Sequence, residues 1–160
     1  MKRLLSSILF LILSSASSTP ASSGTLKIEE TKFFVRLYTI SNDGSEISRD
    51  FDTTLVPLVP DQSCYGWQIK VPSDANLINL REEFMLPNEP SFWSGENNEF
   101  ATNRIVNNRR TSITERFVTP DKGWVENEWC VAKGDPEGDY LIKVYFDDQF
   151  IQKFDFEVRK

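Results

Sequence analysis

The chain has no histidine, and its only cysteines are Cys64 and Cys130. Without imidazole there can be no Ser-His-Asp triad, no Cys–His pair and no zinc site built on histidine. Two cysteines cannot assemble a structural zinc site by themselves. Neither the Gly-x-x-x-x-Gly-Lys-Ser/Thr phosphate loop nor an Asn-x-Ser/Thr sequon occurs. No cofactor or metal is expected on this pattern. Positive charge is also scarce: 18 Lys and Arg face 24 Asp and Glu, a formal net charge of -6. An acidic surface repels phosphate backbones and anionic bilayers, which argues against nucleic acid as a partner.

Long apolar runs are absent except at the start, "MKRLLSSILFLILSSASSTPASSGT". Lys2 and Arg3 precede a short apolar stretch from Leu4 to Leu13, and Ser14, Ala16, Ser17 and Ser18 are small. This order of features is that of a secretory signal peptide, and the run is short of the roughly 20 residues a membrane span needs. Cleavage is expected between Ala16 and Ser23, with an uncleaved anchor as the alternative. No cysteine follows the run to carry a lipid. The expected organisation is therefore a signal peptide and flexible lead-in over 1–23 and a single domain over 24–160. Such a domain, about 135 residues, can bury one real core. The mature chain should have no membrane span and be exported, periplasmic or extracellular.

In an exported protein Cys64 and Cys130 most simply form one intramolecular disulfide, adding about 4 kcal/mol in chain-entropy terms. Free thiols or an intermolecular bridge are the other possibilities.

The remaining pattern alternates with period two. Phe33, Val35 and Leu37 share a face in "TKFFVRLYTI". After the Asp43-Gly44 turn signal, Ile47, Phe51, Thr53 and Leu55 read as one strand ended by Pro57 and Pro60. Tyr65, Trp67, Ile69 and Val71 form the next face; Cys64 lies on the opposite parity, which puts the disulfide on an outer face or at a strand end. "LINLREEFML" is ambiguous: Ile78, Leu80, Phe84 and Leu86 share a strand face with Glu82 interrupting them, the Arg-Glu-Glu centre could also start a helical turn, and the neighbouring strands favour strand. The polar stretch from Asn88 to Arg110 reads as one long loop, and ordered loops of that length are often functional. Val125, Trp129 and Val131 share a face of a later strand. The closing "GDYLIKVYFDDQFIQKFDFEVRK" is a hairpin about Asp147 and Asp148. Its expected apolar face carries Tyr140, Ile142, Val144, Phe146, Phe150, Phe154, Phe156 and Val158. The fold class is all-β, an antiparallel Ig-like β-sandwich of about seven or eight strands.

Two stretches, "TTLVPLVPDQSCYGWQIKVP" and "GDYLIKVYFDDQFIQKFDFEV", resemble small secreted bacterial β-sandwich domains of unknown function. The resemblance implies a fold and an envelope location and carries no activity.

Chemistry is sparse. Glu82 with Glu83, Glu96 with Glu99, and Asp147 with Asp148 are acidic pairs, but neighbours on a strand point to opposite faces. All are read as solvated surface groups. Asp135, Glu137 and Asp139 are read as turn residues, since Phe146 stands where an EF-hand loop needs its bidentate Glu. In the long loop, Phe92 and Trp93 are candidate apolar anchors for a partner. Arg109 and Arg110 are candidate grips on an acidic group. Alternatively Trp93 folds back to plug the sandwich. The expected function is a non-enzymatic binding or accessory protein with a protein or glycan partner. The alternatives are a carboxylate-based glycan hydrolase and a self-assembling envelope structural subunit.

Overall fold

The computed structural model describes residues 26–93 and 101–160. Among these residues there is no helix and there are ten strands. They are β1 (Glu30–Ile40), β2 (Glu46–Phe51), β3 (Leu55–Pro57), β4 (Ser63–Lys70), β5 (Ile78–Met85), β6 (Ala101–Val106), β7 (Thr111–Val118), β8 (Trp124–Cys130), β9 (Gly138–Phe146) and β10 (Gln149–Arg159). They form two sheets, one of four strands in the order β2-β1-β4-β8 and one of six in the order β3-β10-β9-β5-β7-β6. All pairings are antiparallel except β3 with β10. The all-β sandwich expected from alternation is the observed class, with ten strands where seven or eight were expected.

The core lies between the sheets and follows from strand parity. Val35, Tyr65, Trp67, Ile69 and Val125 point in from the smaller sheet. Leu80, Phe84, Tyr140, Ile142, Val144, Phe154 and Phe156 meet them from the larger. Tyr65 packs on Phe156 with ring centroids 4.7 Å apart, and Phe84 packs on Tyr140 at 5.9 Å. The closing hairpin is thus core.

Four expectations change in detail. The run from Ile47 to Leu55 is not one strand. β2 ends where Phe51 meets Val35, and the chain then crosses to the other sheet, where β3 lies parallel to the end of β10. The Thr53 hydroxyl accepts the Leu55 N–H at 3.2 Å and turns the chain there. β2 is exposed along its whole length, so Ile47 and Phe51 do not join the core. Second, the stretch from Asn88 to Arg110 is not all loop: β6 pairs with β7 through it, from Ala101↔Arg116 to Val106↔Thr111. Its polar side chains hid the strand, because an edge strand has no need of an apolar face. Third, Phe150 is 53% exposed. The hairpin register shifts between Phe150 and Gln152, and this bulge turns Phe150 outward against Tyr145. Fourth, Glu82 is not a surface group but lies 2% exposed in the core.

Cys64 and Cys130 are register partners on β4 and β8 and are joined by a disulfide, S–S 2.02 Å. The bond lies on the outer face of the smaller sheet, as the cysteine parity requires. Beside it on β4 is Gly66, which has no side chain because there is no room for one. A Cβ there would lie 2.4 Å from the Asn127 carbonyl oxygen and 2.7 Å from Cζ of Phe34. Phe34 closes over this gap, and the Arg36 guanidinium lies over its ring at 4.9 Å. Arg36 then ties the strands together, donating to Asp50 on β2 at 2.6 and 2.9 Å and to Glu128 on β8 at 2.5 Å.

Gly66→Ala should therefore destabilise the fold by about 1–3 kcal/mol, the range for overpacking a tight site. Urea denaturation checks this. Adding Phe34→Ala should not restore stability, because the clash with the Asn127 backbone remains. Full recovery in the double mutant would show that the ring alone sets the constraint.

Candidate functional site

The most unusual chemistry in the protein is Glu82. β5 alternates, so position 82 shares the inward parity of Ile78, Leu80 and Phe84. The carboxylate lies between the sheets and accepts from three residues of the opposite one. The Trp67 indole donates at 2.5 Å, the Trp129 indole at 2.8 Å, and the Asn127 amide to both oxygens at 3.1 Å. Asn127 in turn accepts from the Arg116 guanidinium at 3.0 Å. The amide relays the pull of a half-buried cation to a fully buried anion. Burial pushes the Glu82 pKa up; the two indoles, the amide and Arg116 pull the other way without cancelling the shift.

This arrangement holds a carboxylate in place and keeps water from it. Its acceptor positions are occupied by structural donors. Adjacent Glu83 points out of the sandwich, where it pairs with Arg81 at 2.5 Å. The strand separates the two acids as its pleat requires. Asp147 and Asp148 occupy the hairpin turn with φ of 48° and 64°, the left-handed pair of a two-residue turn. Glu96 and Glu99 lie outside the described residues. Asp135 accepts the Ala132 N–H at 2.8 Å and serves the turn it was read into; burial raises its pKa.

Glu82 was legible in part. A carboxylate on an inward parity needs donors. The smaller sheet offers two inward tryptophans and, between Val125 and Trp129, an inward asparagine. Reading the strands one at a time hid the match.

The four residues singled out for a partner, Phe92, Trp93, Arg109 and Arg110, come together at one end of the sandwich. Trp93 packs edge-on against Phe84, with centroids 5.8 Å apart, and donates its indole N–H to the Arg109 carbonyl at 2.7 Å. Arg110 donates to the Pro87 carbonyl at 3.2 Å, and its own carbonyl accepts from Leu86. These two residues hold the segment before residue 94 against the β6–β7 turn. Arg109, with φ of 61°, faces solvent and pairs with Glu89 at 2.5 Å. Phe92 is 53% exposed. The cluster has two inner members, Trp93 and Arg110, and two outer ones, Phe92 and Arg109.

The PM0630 beta sandwich domain matches residues 35–159. Among solved structures, an immunoglobulin-like protein from Pseudomonas aeruginosa is similar, with a TM-score of 0.51 at 11% sequence identity. The match covers 87% of this chain and 100% of that one. Pseudomonas fluorescens alkylpurine DNA glycosylase AlkC, bound to DNA containing an abasic site analog, is matched at a TM-score of 0.34 and 8% identity. That match covers 82% of this chain and 31% of the glycosylase. No curated protein matches. The first likeness makes the sandwich Ig-like.

The raised pKa of Glu82 sets a pH dependence. An unfolded glutamate titrates near 4.5, and the folded one titrates higher. Below 4.5 both states hold the proton. As pH rises, the unfolded chain releases it first, so the contribution of this carboxyl to stability is lost through the folded-state pKa. Glu82→Gln removes that titration. The stability of the protein minus that of Glu82→Gln should therefore be most favourable to the protein in acid and decline toward neutral pH. Urea melts of both proteins between acid and neutral pH measure it. A difference that grows with pH would show that the donors outweigh burial.

Proposed function

The chain belongs to the PM0630 beta sandwich domain family, and on that premise we propose that it is an exported, non-enzymatic binding or accessory protein. Its binding surface is the sandwich end that carries Phe92 and Arg109. The observation behind this reading is the convergence of two distant segments into one rim. Trp93 and Arg110 spend their polar groups on backbone carbonyls and fix the rim. Phe92 and Arg109 are its exposed members, Arg109 in an ion pair with Glu89 at 2.5 Å. Aromatic and Arg side chains in such settings carry much of the energy of protein interfaces. The partner this suits presents an apolar group to Phe92 and an acidic group that displaces Glu89 from Arg109.

Export rests on two features. The start of the chain has the charge, apolar run and small residues of a signal peptide over 1–23. The Cys64–Cys130 bond has an exposed end at Cys130 and fits a compartment that keeps disulfides oxidised. The non-enzymatic reading is supported by the fate of Glu82, which is buried in the core with its oxygens on structural donors. A glycan hydrolase would need two carboxyls about 5–10 Å apart across a substrate. Among the described residues, no helix is long and apolar enough to cross a membrane.

The test is a pull-down from a native envelope or secreted fraction with the oxidised protein as bait. A parallel bait carries Phe92→Ala and Arg109→Glu, which leave the inner pair intact. A partner held by the first bait and lost by the second, with both baits equally stable, is the expected result. Equal capture by both would remove the rim as the binding surface. Release of reducing sugar from envelope glycan by the protein, absent in Glu82→Gln, would replace the binding reading with the hydrolase.

A further inference from the structure

A second surface lies at the other end of the molecule, independent of the rim. β1 is longer than the strand beside it. It pairs with β4 from Glu30↔Lys70 to Leu37↔Ser63, but with β2 only from Val35↔Phe51 to Ile40↔Glu46. From Glu30 to Phe34 one edge of β1 has no strand against it among the described residues. That edge is about 17 Å long at the strand rise of about 3.4 Å per residue.

Backbone groups alternate sides along a strand. The Tyr38 N–H goes to Gln62 at 2.8 Å, on the β4 side, and the Ser41 N–H goes to Ser45 at 2.8 Å, on the β2 side. Even-numbered residues of β1 therefore serve β4, and odd-numbered ones face the other way. At the open edge the N–H and C=O groups of Thr31 and Phe33 point outward. They border a groove of about 440 Å³ whose lining includes Phe33, Phe34, Phe51 and Asp52.

The groove has two sides of different chemistry. Toward the core lie Phe33 and Phe51. Phe33 is anchored, 4.9 Å from the Phe156 ring. On the outer side lie Phe34 and Asp52. Lys32 is compensated by Glu30 at 2.9 Å and by the Trp124 ring at 4.9 Å. Asp50 is committed to Arg36. Asp52 is exposed and makes no ion pair among the described residues. We infer that this slot accepts an extended polypeptide segment as an added strand, with alternating apolar and basic residues. The apolar residues would sit on Phe33 and Phe51, the basic ones beside Asp52. Main-chain hydrogen bonds to Thr31 and Phe33 would supply the docking, and the two-sided groove the selectivity.

The experiment is amide hydrogen exchange by NMR on the protein, with and without a capped heptapeptide of alternating valine and lysine. The expected result is exchange about tenfold slower at Thr31 and Phe33, with no change along β2. The valine–glutamate counterpart should have no effect. Thr31→Pro, which removes an outward N–H and leaves the even-numbered ladder to β4, should abolish the protection. Asp52→Lys, which leaves the backbone alone, should reverse the preference between the two peptides. Unchanged exchange at saturating peptide would overturn the proposal. So would protection that is already present in the free protein, or that grows with protein concentration. Those outcomes would assign the slot to the chain itself or to a second copy.

Discussion

A single carboxylate sets the terms on which the two sheets meet. Glu82 is the one acidic side chain buried in the core among the described residues, and a buried carboxylate without partners costs several kcal/mol. Its donors come from β4 and β8, across the sandwich from β5. Each must arrive on the inward parity and at the right height. Trp67 and Asn127 are register partners, and Trp129 stands opposite Tyr65 two residues on. A one-residue slip of β8 against β4 would turn Asn127 and Trp129 outward together. The same slip would expose the apolar face of the strand, and the carboxylate adds a directional demand for N–H groups to that constraint. The polar centre therefore specifies one alignment of the sheets.

The outer face of the smaller sheet holds that alignment from behind. The disulfide joins Cys130 to Cys64, one residue from Trp129 on β8 and one from Tyr65 on β4. Linking positions 66 apart in sequence constrains the unfolded chain by about 4 kcal/mol in entropic terms. It also prevents β8, which ends its sheet, from sliding. Arg36 reaches from β1 to Asp50 on one side and Glu128 on the other. Asp50 is held below its usual pKa by that guanidinium. Gly66 lets Phe34 close flat over the sheet beneath this bridge. An exposed ion pair alone contributes little. Here it shares its strands with a disulfide and a tight glycine contact, and all three act on the same β1–β4–β8 register.

How much of this could be read from the sequence depends on whether the relevant contact is local. The closing hairpin was legible because its alternation and its turn lie within one short stretch. Its one error, Phe150, came from a bulge that alternation cannot register. β2 and β3 merged into one expected strand because Phe51 and Leu55 share a parity; the crossing between sheets happens in the residues between them and leaves no apolar signature. β6 was read as loop because an edge strand over polar neighbours needs no hydrophobic face. Glu82 was placed on the correct side of β5 by its parity and then taken as a solvated interruption. Its partners are 15, 45 and 47 residues away in sequence. Complementarity over such separations shows only when the strands are considered as facing sheets.

The two surfaces proposed for binding sit at opposite ends, and the antiparallel order places them there. The rim stands where β5 ends and β7 begins, near Cys130. The open edge of β1 lies against the far end of β4, where Lys70 also meets Trp124 at the start of β8. The length of β4 and β8 separates them, so an occupant at one end need not exclude an occupant at the other. The constrained parts of the molecule lie between: the carboxylate centre inside and the disulfide–glycine–arginine face outside. Phe33 connects the slot to this rigid middle through Phe154 and Phe156, and Trp93 connects the rim to it through Phe84. Each end thus adjoins a side chain anchored in the same aromatic core.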